Sequence, residues 1–132
     1  MLGDAGAAWR EAVEAEVQQQ FDRYEQALRG HAIDALNDFF VDAPETTRFG
    51  IGEENYGRAA IDDYRRGCAP VHPHRQLRRS FVVALTPQVV CVSSEFTDPD
   101  TIGIGRQSQT WLRTPGGWKI AMAHVSVRAE ST

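Results

Sequence analysis

At 132 residues, 42% hydrophobic and 24% charged, with a formal charge of −4, the chain has the length of one domain and the balance of a folded globular one. Disordered, collagen-like and disulfide-scaffold classes are excluded, and no positive field is available for nucleic acid or an anionic membrane surface. Cys68 and Cys91 have no metal-ligand spacing. No basic n-region or long apolar stretch opens or crosses the chain, so a reduced, cytoplasmic protein is expected.

Residues 1–8 are small and uncommitted and are expected to fray, residues 9–128 to form the domain, and residues 129–132 a short tail. From Trp9 to Arg29 the apolar positions Trp9, Val13, Val17, Phe21, Tyr24 and Leu28 recur at three- and four-residue steps, which predicts one long amphipathic helix ended by Gly30. Asp34 can cap or open a short second helix carrying Leu36, Phe39 and Phe40, closed by Pro44. Thr46 to Phe49 reads as a short strand and Gly50 to Gly57 as a loop. A third helix, Arg58 to Arg66, turns Ala60, Ile61 and Tyr64 inward, and Pro70 and Pro73 follow in an extended connection.

Four strands follow: Gln76 to Leu85, Val89 to Phe96, Ile104 to Arg113 and Trp118 to Arg128. Thr114-Pro115-Gly116-Gly117 makes the last two a hairpin. Three helices leading into a strongly curved, mostly antiparallel sheet give an α+β domain whose sheet curls around the first helix and leaves a conical cavity, the natural place for a small ligand.

Several polar residues fall where that cavity would be. Tyr24 lies on the inward stripe of the first helix, and its hydroxyl needs a partner if buried. Arg48 keeps its charge everywhere, so inside it must meet a carboxylate, either Glu54 or Glu95 from this chain or one from a ligand. Glu95 shares a strand face with Ser93, at a sheet edge or in the cavity. Gln107 and Gln109 share a face with Trp111. Period two places Trp118, Ile120, Met122 and His124 on one side of the last strand and Ala121, Ala123 and Val125 on the other, the small side being the better cavity lining. The arginines of Arg75-Gln76-Leu77-Arg78-Arg79 read as a solvated edge, and His124 as a core or interface histidine. His72 and His74 lack a third ligand, and no phosphate loop, dinucleotide fingerprint or nucleophile elbow occurs, so neither metal nor cofactor is expected.

Phe21-Asp22-Arg23-Tyr24, Thr47-Arg48-Phe49-Gly50, the run Gly105-Arg106-Gln107-Ser108-Gln109-Thr110-Trp111, Gly117-Trp118 and Ala123-His124-Val125-Ser126 together resemble the AtzH-like or HpxZ-like proteins of the nuclear transport factor 2-like, or SnoaL-like, superfamily. The resemblance covers roughly residues 10 to 128. It implies a conical α+β barrel, a homodimer joined through the sheet, and one small-molecule pocket per chain, in which the family's tyrosine and arginine match Tyr24 and Arg48. It also implies a link to bacterial nitrogen catabolism, beside amidases acting on carboxylated ureas and oxalurate-type compounds.

The functional expectation is a metal-independent amidohydrolase, possibly a decarboxylating one, with Tyr24 and Arg48 as catalytic pair and Glu95, Gln107 and Gln109 as substrate-binding residues. The alternatives are a non-catalytic, ligand-binding accessory subunit of an amidase, and a ketosteroid-isomerase-like proton-transfer enzyme using Glu95 or Glu54 as base. Phe81, Val83, Trp118, Ile120 and Met122 are the apolar surplus expected to join two copies.

Overall fold

The computed structural model describes residues 8–130; of the expected frayed terminus only Ala8 is included, and residues 131–132 of the tail lie outside the described residues. Helix α1 (Ala8–Arg29) buries Val13, Val17, Phe21, Tyr24 and Leu28 on the predicted stripe, and Glu25 beside them. Helix α2 (Ile33–Asp38) starts one residue before Asp34, so Asp34 sits in its first turn rather than capping it. Helix α3 spans Arg58–Gly67. Arg58 pins its start by donating to the Phe40 carbonyl at 3.0 Å and to Asp62 at 2.7 Å.

The strands are β1 (Thr47–Phe49), β2 (Glu54–Tyr56), β3 (Gln76–Thr86), β4 (Val89–Thr97), β5 (Ile104–Thr114) and β6 (Gly117–Arg128). They form one sheet in the order β2-β1-β6-β5-β4-β3, antiparallel except where β1 lies parallel to β6. Strand β2 falls within the stretch expected to be a loop. It exists because the Gly50 N–H donates to the Glu53 carbonyl at 2.9 Å, folding the chain back so that Arg48 pairs with Asn55. Three residues carry too little periodicity to announce such a strand.

The last strand departs from period two for a local reason. Between Thr110 and Trp111 the partner on β6 jumps from Met122 to Ile120, leaving Ala121 as an extra residue in the ladder. The bulge reverses the phase. Trp118 and Ile120 point into the core before it, while Ala123 points inward and Met122 and His124 outward after it. His124 packs on the outer side against the Phe49 ring, with ring centres 5.6 Å apart. Of the apolar residues expected on the open face, Trp118 and Ile120 are therefore core, Val83 is half-buried, and Phe81 and Met122 are exposed.

The core lies between α1 and the inner face of the sheet, where Val17, Phe21, Leu36, Phe40, Val90, Trp111 and Ile120 are almost fully buried. Each large apolar side chain so placed contributes ~1.5–3 kcal/mol. Gly105 allows one close approach, since a Cβ there would strike the Phe96 ring. That ring, lying flat across β5, becomes a wall of the site. No described helix is long and apolar enough to cross a membrane.

Candidate functional site

Helix α1 covers only part of the inner sheet face. Beyond its C-terminal half, the space bounded by α3, the segment after it and β4, β5 and β6 is a cavity of about 290 Å³. Tyr24 and Leu28 face it from α1, Arg48 from β1, Tyr64 and Arg65 from α3, Arg75 from the residue just before β3, and Phe96, Gln107 and Val125 from the sheet. Tyr24 and Arg48, expected as a pair, line this one cavity. The Tyr24 ring is held edge-on by Phe39 and Phe40, with centres 5.6 and 6.3 Å away.

At the rim, Arg48 Nη1 donates to Glu53 Oε1 at 2.8 Å and to Asn55 Oδ1 at 3.3 Å, and the guanidinium stacks 4.5 Å from the centre of the Tyr64 ring. The internal carboxylate is thus Glu53, not Glu54 or Glu95. Gly50 makes room for it, because a side chain at that position would collide with the Glu53 carboxylate. Burial alone would lower the Arg48 pKa, but its hydrogen bond to Glu53 and the electrostatic influence of Tyr24, Tyr64 and Glu53 outweigh it and raise it above its ordinary value. Glu53 is the mirror case. Burial pushes its carboxyl up, while the hydrogen bonds and charge of Arg48 and the Tyr64 hydroxyl hold it below the usual value. The Tyr64 phenol is raised, first by burial, with the Arg48 charge opposing and the Glu53 hydrogen bond adding.

Deeper in the wall stands a second pair. Arg75 is 6% exposed and grips Glu25 bidentately, Nε to Oε1 at 3.1 Å and Nη2 to Oε2 at 3.2 Å, while its plane lies 3.7 Å from the Phe96 ring centre. Arg75 is therefore not part of a solvated edge, unlike Arg78 and Arg79, which are exposed. Glu25 Oε2 also accepts from Gln107 Nε2 at 2.8 Å. The third arginine, Arg65, is 4% exposed, and its Nε has no hydrogen-bond partner among the described residues. A guanidinium N–H buried without a partner is uncommon, and Arg65 is also one of the residues lining the cavity.

Gln107 is where a substrate-binding residue was expected; two others are elsewhere. Glu95 points to the outer face of the sheet with Ser93 and Cys91, opposite the inward Ser94 and Phe96, so it does not meet Arg48. Gln109 is buried on the inner face, but its Oε1 accepts from Trp111 Nε1 at 3.0 Å, and it packs in the core beyond the cavity. Glu25, Glu53, Asn55 and Arg65 were not anticipated. Two carried a signal: Glu25 stands four residues after Phe21 and three before Leu28, and Arg65 four after Ile61, each on an inward helical stripe. Among the described residues no three His, Cys, Asp or Glu side chains converge as a metal site.

A model of the AtzH-like family matches residues 9–131. The chain is 43% identical to a cystatin-like fold protein from Burkholderia xenovorans, with TM-score 0.87, over 91% of this chain and 95% of that one. It is 36% identical to a protein of unknown function from Pectobacterium atrosepticum, with TM-score 0.85, over 89% and 92% of the two chains. A nuclear transport factor 2-like protein from Pseudomonas putida, 19% identical over 91% and 89%, shares the fold at TM-score 0.73. No curated protein matches the chain.

Proposed function

Because the chain belongs to the AtzH-like family, within the nuclear transport factor 2-like fold, we propose that it is a metal-independent amidohydrolase for small carboxylated ureas or oxalurate-type compounds. The observation that carries the proposal is one cavity that brings the Tyr24 phenol together with the permanent cations Arg48 and Arg65. Such a site favours a small anion. Arg48 and Arg65 hold the carboxylate, Gln107 contacts the urea-like part, and Tyr24 stands where a leaving nitrogen would lie.

Water adds to the carbonyl carbon, the C–N bond breaks, and the nitrogen takes the Tyr24 proton. The phenol is restored from the attacking water, so one amide and one water become an acid and an amine. The charge of Arg48 stabilises the phenolate as it forms.

A second reading, binding without turnover as the accessory subunit of an amidase, is favoured by a specific feature. Glu53 is held below the usual carboxylate value by Arg48 and so is a weak base for activating water. The proton-transfer alternative named Glu54 or Glu95 as base, but Glu54 is exposed and Glu95 faces outward, and the carboxylates that do line the cavity are Glu53, Asp98 and Asp100. Pairing of two copies through the outer sheet face belongs to the same proposal, with exposed Phe81 and Met122 as its centre.

Incubating the purified protein with carboxylated ureas and oxalurate, and following ammonia and CO₂, tests it. Release that disappears in Tyr24→Phe supports the hydrolase. Saturable binding without release supports the accessory reading.

A further inference from the structure

The deep wall holds a charged pair that the chemistry above does not use, and its geometry bears on what the cavity selects. Glu25 is 1% exposed and gripped on both oxygens by Arg75, so it is an ionised carboxylate and can only accept hydrogen bonds. Gln107 meets it at 2.8 Å. The amide must therefore turn its NH₂ toward Glu25, because the reverse orientation would set two acceptor oxygens against each other at that distance. With one N–H committed to Glu25, the orientation of the amide is fixed and Oε1, a pure acceptor, is held on the side away from Glu25. The opposite sides offer Arg48 and Arg65, which are donors only.

We infer that Glu25 is a positioning residue: by locking the Gln107 amide it makes the cavity selective for ligands that carry an N–H beside their carboxylate, over isosteres with an ether or ester oxygen at that place. This rests on the carboxylate-binding reading of the site given above. An oxygen in place of the N–H would face Oε1 lone pair to lone pair, losing a hydrogen bond and adding a repulsion. A free glutamine would not discriminate in this way, since it could turn its NH₂ to the oxygen. The selectivity therefore belongs to Glu25 as much as to Gln107.

The test is calorimetric titration with two probes of equal size and charge, N-carbamoylglycine and its oxygen analogue O-carbamoylglycolate. The natural protein should bind the N–H probe about tenfold or more tightly. Glu25→Gln, which frees the amide to turn, should bring the two affinities within about threefold. Should that variant not fold, Gln107→Met keeps the Glu25–Arg75 pair, removes the acceptor and should abolish the preference, with its circular dichroism unchanged. The ratio of affinities is the readout because loosened packing would weaken both probes alike. Equal binding of both probes by the natural protein, or an undiminished ratio in Glu25→Gln and Gln107→Met, would overturn the inference while leaving carboxylate binding intact. Failure of both probes to bind would overturn the carboxylate reading itself, and this inference with it.

Discussion

Two arginine–carboxylate pairs meet at one cavity, Arg48 and Glu53 both lining it and Arg75 lining it while its partner Glu25 does not, and they are built for different tasks. In the wall, Arg75 and Glu25 are both buried, matched bidentately and backed by the Phe96 ring. At the rim, Arg48 meets Glu53 through Nη1 alone, and the Glu53 side chain is 28% exposed. A fully matched pair has little left to offer a ligand. Removing one partner strands a charge in a medium that cannot solvate it. Arg48 uses Nη1 for both Glu53 and Asn55 and so keeps its other N–H groups for another anion, and its loss would leave only the partly exposed Glu53 without its partner. The same residue types thus give scaffold in one place and anchor in the other, and burial with bond count decides which.

The largest effect should come from the wall. Glu25→Ala strands Arg75 and is expected to lower folding stability by ~3–5 kcal/mol, whereas Glu53→Ala, which leaves the buried Arg48 its contacts with Asn55 and Tyr64, should lower it by less, ~1–2 kcal/mol. Urea unfolding of the two variants side by side measures the contrast, and equal losses would erase the distinction between the pairs.

Next is Arg48→Lys. An ammonium cannot reproduce the planar fork, so carboxylate binding should weaken by ~2–4 kcal/mol in a titration, with little change in unfolding midpoint. Tyr24→Phe keeps the ring seated on Phe39 and Phe40 and should preserve stability while slowing any turnover about a hundredfold. Full activity in that variant would make the hydroxyl a bystander.

The smallest effect concerns pH. The Glu53 carboxyl is lowered in the folded protein, so its contribution is fully present above the unfolded value of 4.5 and is lost only as pH falls through the lower folded value. Stability of the rim, followed by hydrogen exchange of β1 and β2, should be level from neutral pH down to about 4.5 and decline below it. A decline that sets in above 4.5 would mean that Glu53 is not held by Arg48.

The contrast between the pairs also separates what could be read from the chain from what could not. Helix α1 and the β5–β6 hairpin were legible because long periodic stretches and a Pro-Gly turn leave few alternatives. Tyr24 could be placed on an inward stripe by its period, whereas Arg48, in a three-residue strand, was singled out with it by the family resemblance rather than by any period. The wall pair was not legible, because its partners are 50 residues apart and only the packed fold brings them together. Glu53 and Asn55 sit around a three-residue strand formed by a turn, with no period of its own. The outward placement of Met122 and His124 depends on one extra residue, Ala121, in the β6 ladder, and a bulge leaves no mark on the alternation that precedes it.

One measurement bears most directly on the division between anchor and scaffold: titration of N-carbamoylglycine into Arg48→Ala and Arg75→Ala, with unfolding curves from the same samples. Arg48→Ala is predicted to keep most of its stability and lose binding by a factor of about thirty or more, and Arg75→Ala to be the far less stable of the two. An Arg48→Ala protein that binds the probe as the natural chain does would contradict the anchor assignment outright.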